Sequence, residues 1–190
     1  MANKNKVKFN LKNVHYAKLT ESDGVVTYGT PVAIPGAVSL SLSAEGDTTP
    51  FYADGFKYYV AVANNGYSGD LEIALIPDSF RTDILGDTVD NTDKVVIEYA
   101  LTEPGRFALL FEFDGDQNSI RHVFWNCTAT RPSVEGSTTT ASKEVSTEKL
   151  TIDAAPLADG RVKAKTGPET TETVYNGWYS KVFEPTAEGG

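Results

Sequence analysis

Strict alternation of apolar and polar residues is the dominant signal along the chain. Val38-Ser39-Leu40-Ser41-Leu42-Ser43 alternates as a half-buried strand must, and so does Val7-Lys8-Phe9-Asn10-Leu11-Lys12. Lys149-Leu150-Thr151-Ile152-Asp153 and Arg161-Val162-Lys163-Ala164-Lys165 repeat the pattern. Denser runs over 57–63, 70–76, 95–101, 107–113 and 123–130 read as strands apolar on most of both faces, and their Tyr, Phe, Val and Thr content fits β-propensity. Together these runs predict about nine or ten strands at sandwich or barrel spacing.

Turn formers punctuate them. Asn64-Asn65-Gly66-Tyr67-Ser68-Gly69, Asp114-Gly115-Asp116-Gln117-Asn118 and Leu157-Ala158-Asp159-Gly160 fall between or before strand runs and read as connections. One short helix is expected over Asp78–Leu85: Asp78 is placed as N-cap, Phe80 and Ile84 share a face, and Gly86 supplies a left-handed cap. Residues 44–55 read as a long loop, with turn formers at both ends and Phe51-Tyr52 between them. Long loops in compact domains are often functional. Residues 132–147, 166–173 and 185–190 are poor in large aliphatic residues and are expected to be mobile, as is the 44–55 loop.

Length and charge narrow the picture. The 190 residues suit one domain, 1–190, that buries about 70% of its unfolded surface without staples. Net charge is −9 and evenly spread: residues 1–95 hold 8 basic and 12 acidic residues, residues 96–190 hold 9 and 14. Neither half is a basic nucleic-acid clamp. Lys4, Lys6, Lys8, Lys12 and Lys18 form a local exception, and alternating Lys marks the wet face or guarded edge of a strand. No apolar run is long enough for a membrane-spanning helix, and no secretory signal core opens the chain, so a cytoplasmic origin is expected.

Candidate chemistry is thin. His15 and His122 are the two histidines and Cys127 the one cysteine, so neither a disulfide framework nor a usual zinc set can form. His122 and Cys127 lie five residues apart, on opposite faces of a regular strand, which argues against a nucleophile–base pair. There is no G-x-S-x-G elbow, P-loop or G-x-G-x-x-G. Glu45, Asp47 and Asp54 lack the EF-hand pattern and fit turns better than calcium. No enzyme activity, cofactor or metal is expected. Asp70, Glu72, Asp78, Asp83, Asp87, Asp90 and Asp93 form an acidic run opposed only by Arg81 before Lys94. Tyr175, Trp178, Tyr179 and Phe183 read either as the apolar face of a last strand or as a sugar-stacking platform.

The blocks Leu40–Gly86, Phe107–Asp116 and Arg121–Pro132, in this order, resemble the major tail proteins of long-tailed phages of Gram-positive bacteria, the phi13-type family. The segments that carry the likeness are Ala44-Glu45-Gly46-Asp47-Thr48-Thr49-Pro50-Phe51-Tyr52-Ala53-Asp54-Gly55, Asn64–Ile73 and Pro77–Gly86. The likeness runs from about Val7 to Phe183, and it lies in the order of many blocks, since none of them is a chemical motif.

The resemblance implies a mainly β fold, a β-sandwich or partly closed barrel of the tail-tube type with one short flanking helix. It implies a structural virion protein that forms hexameric rings, stacked into the hollow tube of a flexible phage tail in the host cytoplasm. The partners implied are further copies of the chain, a tape-measure protein, and distal-tail and tail-terminator proteins, with DNA passing down the lumen unbound. The loop carrying Glu45, Gly46, Asp47, Thr48, Thr49, Pro50, Phe51, Tyr52 and Asp54 then corresponds to an inter-ring contact. Asp70, Glu72, Asp83 and Asp87 are the acidic candidates for the lumen or an interface, where carboxylates would keep DNA off the wall. A carbohydrate-binding β-sandwich of a phage particle, using Trp178 and Tyr179, is the alternative.

Overall fold

A computed structural model of the chain describes residues 4–138 and 145–186. Among the described residues thirteen strands follow one another: β1 (Lys8–Ser22), β2 (Val25–Tyr28), β3 (Val32–Ala33), β4 (Ala37–Glu45), β5 (Thr48–Ala53), β6 (Phe56–Val62), β7 (Gly66–Ile73), β8 (Thr88–Val89), β9 (Val96–Ile97), β10 (Phe107–Gly115), β11 (Ile120–Ala129), β12 (Glu148–Ala154) and β13 (Lys163–Lys165). Between β7 and β8 lies α1 (Asp78–Phe80), continued by a π-helical turn over Arg81–Leu85; α2 (Glu172–Asn176) follows β13.

The architecture is mainly β. An antiparallel sheet runs β2-β1-β10-β11-β12-β7-β4, with β13 beside β11 and β3 beside β1. It curls until β1 and β4 approach each other, but no ladder joins them, so the barrel is not closed. Inside the curl lie Leu71, Ile73, Leu109, Phe111, Phe124, Leu150 and Ile152, capped by Phe80 and Ile84 of the helical turn. Phe80 meets Tyr16 and Phe107 edge-on at 5.1 and 5.4 Å, contacts worth about 0.5–1.5 kcal/mol each beyond area burial.

Residues of β10 and β11 face both ways. Ala108, Leu110, Val123 and Trp125 point to the opposite side, where the C-terminal segment covers them with Trp178 and Val182. That segment is helix and turns rather than the last strand its spacing suggests, because the Trp125 indole donates to Phe183 O and the Trp178 indole to His122 O. Residues 166–173, expected to be mobile, include Thr166, buried with its hydroxyl accepting from Arg121 N, and the first residues of α2. Within 132–147 and 185–190, residues 139–144 and 187–190 lie outside the described residues.

Several local expectations change. Asp78 is the first helical residue and not the N-cap; Pro77 takes that place without a side-chain bond. Gly86 does close the turn in the left-handed conformation, at φ 79°. Of 95–101 only Val96–Ile97 is strand. β1 is far longer than its alternating start, because Asn10 and Asn13, at positive φ, carry bulges that let a 15-residue strand bend with β10.

Glycines set how closely β4, β7 and β12 approach. A Cβ on Gly69 would collide with Ser41 O, and one on Gly66 with Ala154 O. Gly69→Ala should therefore destabilise the fold by about 2 kcal/mol or more, about 4–8 °C in Tm by thermal melting. Gly136→Ala, in open space, should leave Tm unchanged.

Candidate functional site

The segment expected as a loop over 44–55 is a protruding β-hairpin. Ala44 and Glu45 end β4, Thr48–Ala53 form β5, and β6 pairs back in the register Thr48↔Val62 to Ala53↔Phe56. The reason is the two-residue turn Asp54-Gly55, at φ 52° and 79°, as a type I′ turn requires. The hairpin prolongs the β4–β7 ladder outward: Ala63 N–H donates to Asp47 O at 3.0 Å and Asn65 N–H to Glu45 O at 2.8 Å. Gly46 permits this continuity, since a Cβ there would strike Ala63 O.

Beyond that point none of the described residues covers the ribbon. All of β5 and β6 except Ala53 and Val60 is exposed. Phe51, Tyr52, Phe56, Tyr58, Tyr59 and Val62 are each 60–76% exposed. Phe51 faces Tyr59 across the strands, and Pro50 faces Val60. From Thr48 to Val62 the only charges are Asp54 and Lys57. Sequence reasoning found the first half of this surface and missed Phe56, Tyr58, Tyr59 and Val62, which look like core residues by composition. The Asp-Gly pair between two β-prone runs is the signal that reveals them.

The four acidic candidates separate. Asp70 and Glu72 lie on the outer face of β7, opposite Ser41 and Ser39 of β4 and Thr151 and Lys149 of β12. Thr151 and Ser39 hydroxyls donate to Asp70 and Glu72, both at 2.9 Å; Thr147 donates to Glu72 at 2.6 Å. The Thr147 and Ser39 hydrogen bonds hold the Glu72 carboxyl below its ordinary range. Asp153, opposite Ser68, extends this hydroxyl and carboxylate face, on which Lys149 lies 3.9 Å from Asp70. Asp83 and Asp87 lie elsewhere, around the helical turn. Asp83 accepts the Tyr16 hydroxyl at 2.7 Å, which, after burial, helps push that phenol up to about 12. Asp87 is buried.

At the hairpin base, Lys163 stands over the Tyr67 ring at 4.0 Å and Lys8 over Phe113 at 4.4 Å. His122 stacks on Phe111 at 5.1 Å, nearly parallel. His122 and Cys127 do not fall on opposite faces as expected. β11 bulges between Phe124 and Cys127, so both residues contact the same interior side. Five residues of strand still keep them about 16 Å apart, and burial pushes the Cys127 thiol up. Trp178 is 3% exposed, which removes it as a stacking platform. Tyr179 donates to Glu112, a buried carboxylate that also holds Arg121 and Asn13. Among the described residues no acidic, His or Cys cluster could hold a metal, and no helix is long and apolar enough to cross a membrane. No family model matches the chain, and no curated protein matches it.

The His122 environment has a consequence for stability. Burial, then repulsion from Lys8, Lys165 and Lys163, lowers its pKa from 6.5 to about 4. The unfolded chain therefore binds a proton that the folded chain refuses between these values, so this contribution is present above about pH 6.5 and lost as pH falls towards 4. Melting of His122→Phe should show a shallower loss of Tm than wild type over that window, with little difference at pH 7.5.

Proposed function

We propose that this chain is a structural subunit that assembles with copies of itself into a tube, as the tail tube protein of a long-tailed phage. The observation that carries the reading is the unsupported β5–β6 hairpin. A two-stranded ribbon is marginal in water, and this one exposes aromatic residues along an almost uncharged length. Such a surface is an aggregation hazard unless a partner covers it. Glu45, Gly46, Asp47, Thr48, Thr49, Pro50, Phe51, Tyr52 and Asp54 are then an arm that reaches a neighbouring ring.

Two further features support the reading. The curled sheet is left open between β1 and β4, so strand edges remain for lateral neighbours. A heterologous contact that closes on itself makes a ring; the number six rests on the resemblance alone. The Asp70, Glu72 and Asp153 face, rich in hydroxyls and short of cations, suits a lumen wall that DNA passes without binding. Its repulsion reaches about 8 Å at physiological salt. Tape-measure, distal-tail and terminator proteins are the partners this role requires, and the place of action is the virion tail after assembly in the bacterial cytoplasm. The carbohydrate-binding alternative loses its main feature with the burial of Trp178.

Negative-stain electron microscopy over a concentration series tests the proposal. Wild type should give rings or tubes with a central channel. Phe51→Ser combined with Tyr59→Ser should melt within about 0.5 kcal/mol of wild type, because both side chains are exposed, yet form no tubes. Wild-type particles that stay monomeric at every concentration, with or without tail-tip proteins, would defeat the reading.

A further inference from the structure

A cleft of about 550 Å³ opens between the N-terminal segment and the chain that follows β13. Its first wall is the segment just ahead of β1. The Asn5 side chain fastens that segment to the turn after β10. Its carboxamide oxygen accepts from Gln117 N and Asn118 N at 2.9 and 3.0 Å, and its nitrogen donates to Asn118 O at 2.6 Å. Gly115 permits this approach, since a Cβ there would strike the Asn5 carboxamide. Lys6 N adds a bond to Asp116 Oδ1 at 2.7 Å.

The second wall runs from Lys165 to Tyr175. Lys165 lies opposite His122 in the β11–β13 ladder. The Thr170 hydroxyl closes a turn by accepting from Gly167 N at 2.8 Å. The Tyr175 ring is held by the Arg121 guanidinium at 3.8 Å and by its own hydroxyl, which donates to Ser119 O at 3.1 Å. Both walls are ordered before a ligand arrives, which lowers the cost of binding one. The volume suits a small organic molecule.

Three charged side chains reach the cleft and none is paired. Lys4, Lys165 and Glu172 line it, and among the described residues none of the three lies within ion-pair distance of an opposite charge. Of the other carboxylates near by, Asp114 pairs with Lys12 at 2.6 Å and Asp116 accepts from Lys6 N. Glu169, in the Gly167–Thr170 turn, does not line the cleft. Thr166 does line it and is 6% exposed. Its hydroxyl oxygen accepts from Arg121 N at 3.0 Å, while its proton has no acceptor among the described residues. The cleft therefore offers two cations and a buried hydroxyl donor to an anion, and one carboxylate to hydroxyl groups. Ile120, Pro168 and Tyr175 add apolar lining.

We propose that this cleft binds a sugar or polyol phosphate, with the phosphate against Lys4, Lys165 and the Thr166 hydroxyl and the ligand hydroxyls on Glu172. Phosphate and hydroxyl recognition together use every unpaired charge in the cleft. The proposal goes beyond self-assembly, because every group it uses comes from one copy of the chain.

Isothermal titration calorimetry of the full chain tests it, with glycerol phosphate, ribose phosphate and glucose phosphate set against inorganic phosphate and glucose. At least one ester should bind about tenfold tighter than inorganic phosphate, and Lys165→Gln should weaken that ester about tenfold. Glu172→Gln should weaken the ester several-fold and leave inorganic phosphate as tight as before or tighter, a split that general loss of structure does not produce. Lys165 and Glu172 are exposed, so both variants should melt with wild type. No saturable binding of any ester overturns the site. An ester no tighter than inorganic phosphate, or one indifferent to Glu172→Gln, overturns the ligand class. Tubes seen by electron microscopy are a separate readout, so failure of binding with tubes intact overturns the cleft alone.

Discussion

The β4–β7 ladder joins a buried sheet to a ribbon that none of the described residues covers. In the sheet, Leu71 and Ile73 of β7 are fully buried while Asp70 and Glu72 face outward, so period two is enforced by the core. Past Gly46 and Asn65 the same two strands continue with no core beneath them. Their pairing persists because the Asp54-Gly55 turn fixes register at the far end and the sheet fixes it at the near end. Among the described residues nothing buries Phe51, Tyr52, Phe56, Tyr58, Tyr59 and Val62 along the ribbon.

The rest of the fold keeps that ribbon's base rigid. The interior of the curl is sealed by Phe80 against Tyr16 and Phe107. The other face of β10 and β11 is sealed by the C-terminal segment through Trp178, Val182 and the two indole hydrogen bonds. Arg121 stacks on Tyr175 at 3.8 Å and pairs with Glu112 at 3.0 Å, joining α2 to the sheet centre. With both faces of the central strands occupied, the sheet edges, the polar β4–β7–β12 face and the two ends are left at the surface.

Much of this is legible in the sequence, and the failures have physical causes. The strands over 38–43, 107–113 and 149–153 show themselves because one or both faces are buried against this chain's own core. The same composition in Phe56–Val62 misleads, since an exposed aromatic strand reads like a buried one. Asp70 and Glu72 separate from Asp83 and Asp87 only through the register of β7 with β4 and β12, which lies between residues about 30–80 positions apart and leaves no local trace. Trp178 and Phe183 have strand-like spacing, but their ring stack at 5.5 Å is built on turns.

Cryo-electron microscopy of the assembled protein, reconstructed with helical symmetry, tests the central claim most directly. The account predicts a hollow tube in which each hairpin crosses to the next ring, the Asp70 and Glu72 face lines the channel, and all subunits point one way. A tube with hairpins exposed to solvent on its outside, or a channel lined by Lys8, Lys163 and Lys165, would contradict it.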